Sequence, residues 1–136
     1  MTDTLIQKIQ SSQRCIRRAR DIYAKHHDDF ANNFDAQDAA VLNLIRVCEL
    51  AIDIANFIIR RDKLGIPATS AEGFDLLHQA GQIDAQIAQP MKAMVGFRNV
   101  AVHQYRDLDY NILIAVIEND LDTVLAFLDR IMDQES

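Results

Sequence analysis

The sequence predicts an all-α fold, an up-and-down bundle of about four long helices and one short one. Three observations carry this. Apolar residues recur every three or four positions through most of the chain. No stretch alternates apolar and polar residues with a period of two, so no sheet is expected. Only four glycines and two prolines interrupt 136 residues. That length fits one domain, residues 1–136, which can bury roughly two-thirds of its unfolded surface without a disulfide or metal.

The first helix is expected over residues 4–30, with Leu5, Ile9, Ile16, Ala19, Ile22 and Tyr23 at helical spacing and Thr2, Asp3 or Thr4 as cap. Residues 26–33 read as its end and a turn. The second helix, residues 35–64, is the longest and most apolar. Its polar residues Asn43, Arg46, Glu49, Asp53 and Asn56 trace one narrow stripe, and almost everything else from Val41 to Ile59 is apolar. So much apolar surface predicts that a second subunit covers part of it. Gly65 and Pro67 mark its stop.

Thr69 and Glu72 have the spacing of a capping box and open a short third helix that ends at Gly81. A fourth helix is expected from about Asp84 to Val102. Pro90 falls inside it, which predicts a kink or break. Residues 104–109 are polar and read as a loop. The last helix is expected over residues 110–133, its apolar side formed by Ile112, Val116, Ile117, Leu121, Val124, Leu125, Leu128 and Ile131.

The formal net charge of −6 argues against a long nucleic-acid platform, because neutralising many phosphates needs a broad basic face. It leaves room for an enzyme that grips a few nucleotides with local cations. Cys15 and Cys48 sit in helical patterns outside any CxxC pair and read as reduced core thiols. No apolar run approaches about 20 residues, and the start of the chain is polar, so neither a membrane span nor a signal peptide is expected. Together these predict a cytoplasmic protein. His78 and the pair His26-His27 lack carboxylate or cysteine neighbours at ligand spacing, so neither a metal nor another cofactor is expected.

Arg98 and His103 bracket four residues, and Asn99 follows the arginine. The spacing alone is a weak signal, and Arg20 and His26 form a similar pair among charged neighbours. Context singles out the first pair. It lies where an apolar helix gives way to a polar loop, Gly96 before it permits close backbone approach, and Tyr105 follows two residues after His103.

The run Phe97-Arg98-Asn99-Val100-Ala101-Val102-His103-Gln104-Tyr105 resembles the R-x4-H-x-Y motif of HepT-type HEPN toxins. Residues 46–55 in the second helix, and Gly65-Ile66-Pro67-Ala68-Thr69-Ser70 with Phe74 and Leu77, are similar to the same family. The resemblance covers residues 40–118 in order; the first 35 residues match only as a helix. It implies a helical bundle that pairs two-fold as a homodimer, a metal-independent endoribonuclease with RNA as substrate, and a minimal nucleotidyltransferase as antitoxin. It also implies that the antitoxin neutralises the toxin by attaching AMP to the motif tyrosine, here Tyr105.

Physical chemistry assigns the roles. RNA supplies its own nucleophile, the ribose 2′-hydroxyl, so a metal-free nuclease needs a base, an acid and positive charge for the phosphate. His103 titrates near neutral pH and suits acid or base work. Arg98 stays charged and can fork onto two phosphate oxygens. On an ideal helix, positions five apart diverge by about 140°, so a two-fold axis that unites two such pairs is expected to build the site. Asn99 lies one turn before His103 and can orient the imidazole or bind a phosphate oxygen. Tyr105 is expected at the cleft mouth. Arg46, Glu49 and Asp53 are expected to line the cleft and hold Arg98 or His103. Arg14, Arg17 and Arg18 share a face of the first helix that reads as solvated, with RNA or an acidic partner as the functional option. Two other readings stay open: a non-catalytic helical module that docks a minimal nucleotidyltransferase, and an interaction protein with no RNA role.

Overall fold

The computed structural model describes residues 1–135 as helices joined by short turns, with no strand among them. Helix α1 (Asp3–Lys25) starts where the Thr2 hydroxyl accepts a hydrogen bond from the Leu5 amide at 3.3 Å. Its buried residues Leu5, Ile9, Ser12, Ile16 and Ala19 keep the spacing of one helical face. The helix stops at Lys25, and the turn expected over residues 26–33 follows it. Phe30 heads a 3-10 turn (Phe30–Asn32) and is buried, edge-on to Tyr23 at 5.1 Å. The Gln37 side chain donates to the carbonyls of Phe30 and Ala31 and ties this turn to the next helix.

Helix α2 (Phe34–Asp62) begins at Asn33, whose side-chain oxygen accepts from the Ala36 amide at 3.0 Å. It ends before the expected glycine. Lys63 takes the left-handed conformation, φ 56°, and the Leu64 amide reaches back to the Ile59 carbonyl. Gly65 then sits at φ 137°, where an added Cβ would lie 3.3 Å from Leu76. The sequence predicts that a second subunit covers part of α2; within one chain most of the helix is already buried. Val41, Leu44, Val47, Cys48, Ala51, Ile54, Ala55, Ile58 and Ile59 are all core residues. The bare apolar residues on this helix are Phe34 and Leu42, both in its first third.

Helix α3 (Ser70–Gln79) has the expected cap: the Thr69 hydroxyl accepts from the Glu72 amide at 3.1 Å. Glu72 returns the bond to the Ala68 amide, one residue before the position of a standard box. Helix α4 (Ala85–His103) is capped by Asp84 and runs through Pro90 without a break. Pro90 lies in the second turn, where the hydrogen bond it forgoes is near a helix end that is already short of partners. After a 3-10 turn (Tyr105–Asp107), α5 (Tyr110–Ala115) passes through a π-helical turn (Val116–Asp120) into α6 (Leu121–Glu135).

Helices α1 and α2 pack antiparallel over most of their length, so Lys8 meets Asp53. Helices α3, α4 and α6 close the core from the other side. Phe74 of α3 and Phe127 of α6 meet edge to face at 5.6 Å, and Leu44, Ile54, Ile58 and Met91 fill the centre.

Candidate active site at the end of the fourth helix

The buried face of α4 is made by Met91, Met94, Val95, Phe97 and Ala101. That anchoring leaves Arg98 half-buried and Asn99 and His103 exposed on the helix's last turns. The Arg98 guanidinium is held by two oxygens. One Nη donates to Asn99 Oδ1 at 3.2 Å, and the other donates to Glu49 Oε1 on α2 at 3.3 Å. Its Nε is buried with no acceptor in hydrogen-bonding range. One terminal group thus reaches across to α2, and the other stays on α4.

Asn99 sits one turn before His103, but its amide oxygen is turned onto Arg98 and not onto the imidazole. No hydrogen bond or ion pair reaches the His103 side chain among the described residues. Tyr105 follows the end of α4 in the 3-10 turn, not on a continued helix, and is 43% exposed. Its hydroxyl donates to Asp38 of α2. Partial burial, and then the Asp38 carboxylate, push this phenol up to about 12 from its ordinary value of 10.0. The phenol therefore stays neutral at physiological pH.

The stripe on α2 divides. Arg46, Glu49 and Asp53 line one hollow of about 340 Å³ together with Ser11, Arg14, Cys15, Arg18 and Leu50. Glu49 reaches Arg98, whereas Asp53 accepts from Lys8 at 3.4 Å. Arg46 makes no hydrogen bond to Arg98 or His103. Cys48 lies under the site, its thiol 3.5 Å from the Met94 carbonyl, and burial pushes it up to about 12. Gly96 does not serve a close approach within this chain: an added Cβ would meet nothing within 4 Å. It lines a mostly apolar hollow with Phe97, Val100, Leu108 and Ile112.

Sequence reasoning missed Asp38, which lies 67 residues from Tyr105 in the chain. No local signal could have found it. It also missed that Arg14 and Arg18 face Arg46. Their i, i+4 spacing puts them on one side of α1, but only the antiparallel packing of α1 and α2 shows what that side meets.

A helical bundle whose fourth helix closes on Arg98, Asn99 and His103, with Tyr105 just beyond, defines a HEPN-type ribonuclease. The chain belongs to the HepT-like family: the family model described as "Ribonuclease HepT-like" matches residues 12–131. It is 41% identical over 131 residues to the mRNA nuclease HepT of Shewanella oneidensis, covering 96% of this chain and 98% of that one. It is 31% identical over 84 residues to the tRNA nuclease HepT of Aphanizomenon flos-aquae, covering 62% of this chain and 57% of that one. Among solved structures it superposes with a TM-score of 0.93 on the tri-AMPylated HEPN toxin of Shewanella oneidensis in complex with its MNT antitoxin. That match has 41% identity and covers 98% of this chain and 99% of the other.

Proposed function

We propose that this protein is the toxin of a HEPN/MNT toxin–antitoxin pair. It acts in the cytoplasm as a metal-independent endoribonuclease and is silenced when a nucleotidyltransferase antitoxin attaches AMP to Tyr105. The observation that carries the reading is the placement of Arg98 and His103 on the exposed last turns of α4, on a well-packed helix. Arg98 would hold the phosphate, and Arg46, Glu49 and Asp53 would line the cleft beside it. One His103 would take the proton of the 2′-hydroxyl as its oxygen attacks the adjacent phosphorus. A second would give a proton to the departing 5′-oxygen. This leaves a cyclic phosphate on one fragment and a 5′-hydroxyl on the other.

Two imidazoles require two chains. The apolar residues left bare next to the motif support such a pairing. Leu42 is 59% exposed on the α2 face between Asp38 and Glu49, and Val102 is 42% exposed one turn after Arg98. A two-fold axis through this patch would cover both and bring the two motifs together. The solved complex of the Shewanella oneidensis toxin with an MNT antitoxin supports a nucleotidyltransferase as partner.

The test is to express the wild type, Arg98→Ala and His103→Ala in bacteria. Growth arrest and RNA fragmentation by the wild type alone is the expected result, and cleavage by the purified dimer should persist in chelator. Equal toxicity of all three, or of none, would defeat the catalytic assignment.

A further inference from the structure

Resting on the ribonuclease reading, we infer that Arg14, Arg18 and Arg46 form a phosphate-binding subsite that holds the RNA strand beside the bond being cut. Arg14 and Arg18 stand one turn apart on α1, and Arg46 faces them from α2 across the 340 Å³ hollow. The hollow has two carboxylates. Glu49 binds Arg98, and Asp53 binds Lys8. Arg14 donates to the Ser11 hydroxyl at 3.2 Å. No carboxylate lies within 4.0 Å of Arg14, Arg18 or Arg46 among the described residues.

Three guanidiniums thus line one hollow without a direct ion pair of their own, in a chain with 20 acidic residues and a net charge of −6. Arg20 and Arg61, by contrast, each hold a carboxylate: Arg20 that of Asp122 at 2.7 Å, and Arg61 that of Asp62 at 2.9 Å. The unpaired set fits a ligand that brings its own repeating negative charge. An RNA backbone is favoured over an acidic protein because the hollow adjoins the proposed catalytic arginine through a shared residue, Glu49. Glu49 lines it and also grips Arg98, so a strand whose scissile phosphate rests on Arg98 passes next over Arg46 and the α1 arginines. Such interactions position the strand without reading its bases. They come from side chains distant from the core, so their removal should leave folding intact.

The experiment measures binding of the dimer to a fluorescent oligoribonucleotide of about ten residues, 2′-O-methylated so that it cannot be cut, over a range of salt concentrations. The combined variant R14A/R18A/R46A should bind at least tenfold more weakly. Its log K against log salt slope should be shallower by about 2, at about 0.7 for each phosphate of a single strand that is no longer neutralised. The lysine set R14K/R18K/R46K should keep most of that slope, and H103A should bind as the wild type does. With cleavable RNA, the alanine set should raise KM about tenfold. Unchanged affinity and slope in a folded alanine variant would overturn the subsite. If that variant keeps RNA binding but no longer binds a nucleotidyltransferase partner, the patch is a protein dock and the inference is wrong. The three single alanine variants, each expected to show about a third of the slope change, provide the same decision should the combined variant misfold. A wild type that neither binds nor cuts any RNA would instead remove the ribonuclease reading, and the subsite with it.

Discussion

Glu49 on α2 holds one arm of the Arg98 guanidinium at 3.3 Å, while the adjacent Asn99 holds the other. The planar fork is therefore fixed in direction before any phosphate arrives. Glu49→Gln should keep the fold, because an exposed pair of this kind contributes at most about 1 kcal/mol. It should still lower kcat/KM for RNA about tenfold through misorientation of Arg98. His103→Ala should lower kcat about 10²–10⁴-fold, the usual span for removal of an acid–base group, and Arg98→Ala about 10²–10³-fold, as for loss of a charge contact to the transition state. Kinetics alongside thermal unfolding of the three variants checks this; a fall in activity that tracks a fall in stability would point to structure instead.

Leu42 and Val102 should be the side chains on which the dimer depends. Leu42→Glu with Val102→Glu should yield a folded monomer without nuclease activity, read by light scattering and far-UV circular dichroism. Introducing charge into a buried apolar interface costs several kcal/mol, enough to dissociate one of ordinary size. A double variant that remains dimeric would place the two-fold axis elsewhere.

Tyr105 should titrate late. Partial burial and the Asp38 carboxylate favour the neutral phenol and push it up to about 12. The stability this contributes is complete below pH about 10 and is lost as the pH rises through 12. Asp38→Asn should lower the titration only part of the way towards 10, because burial is the larger cause. Ring-carbon NMR of the tyrosines resolves this. Tyr105→Phe should abolish AMP addition in the presence of a nucleotidyltransferase and ATP, read by mass spectrometry.

Cys48 should be inert in the native state. It is buried, and its thiol is pushed up to about 12, so little thiolate exists near neutral pH. Aromatic disulfide reagents should modify it only after denaturant unfolds the chain. Fast labelling of native protein would show that α2 and α4 separate readily.

Phe127→Ala should cost about 3–5 kcal/mol, because the ring is fully buried against Phe74 and α6 would be left facing a cavity. Urea unfolding measures it.

Helix placement was legible in the sequence wherever apolar spacing and capping residues agree. Thr2, Asn33, Thr69 and Asp84 cap the ends of α1 to α4 much as their residue types suggest. The end of α1 was legible as a zone, residues 26–33, but its last residue was not, because Phe30 continues the apolar pattern while packing from a turn against Tyr23 and Tyr110. The stop at Lys63 was hidden because a lysine rarely adopts φ 56° and a glycine stands two residues on. The grouping of Arg98, Asn99, His103 and Tyr105 was legible because they are close in sequence. Glu49 was legible as a member of the α2 polar stripe expected to hold Arg98 or His103, and it does reach Arg98; Asp38 was not, because it lies 67 residues from Tyr105 and is brought near only by packing.

The π-helical turn at Val116–Asp120 holds one residue more than an α-helical turn would need. A chain one residue shorter at this spot could tighten the turn and keep both flanking apolar faces aimed at the core. The same deletion within α6 would rotate everything after it by about 100°. Length variation of a single codon should therefore be tolerated at this turn and nowhere else along the final rod, which comparison of melting temperatures for a series of one-residue deletions would reveal.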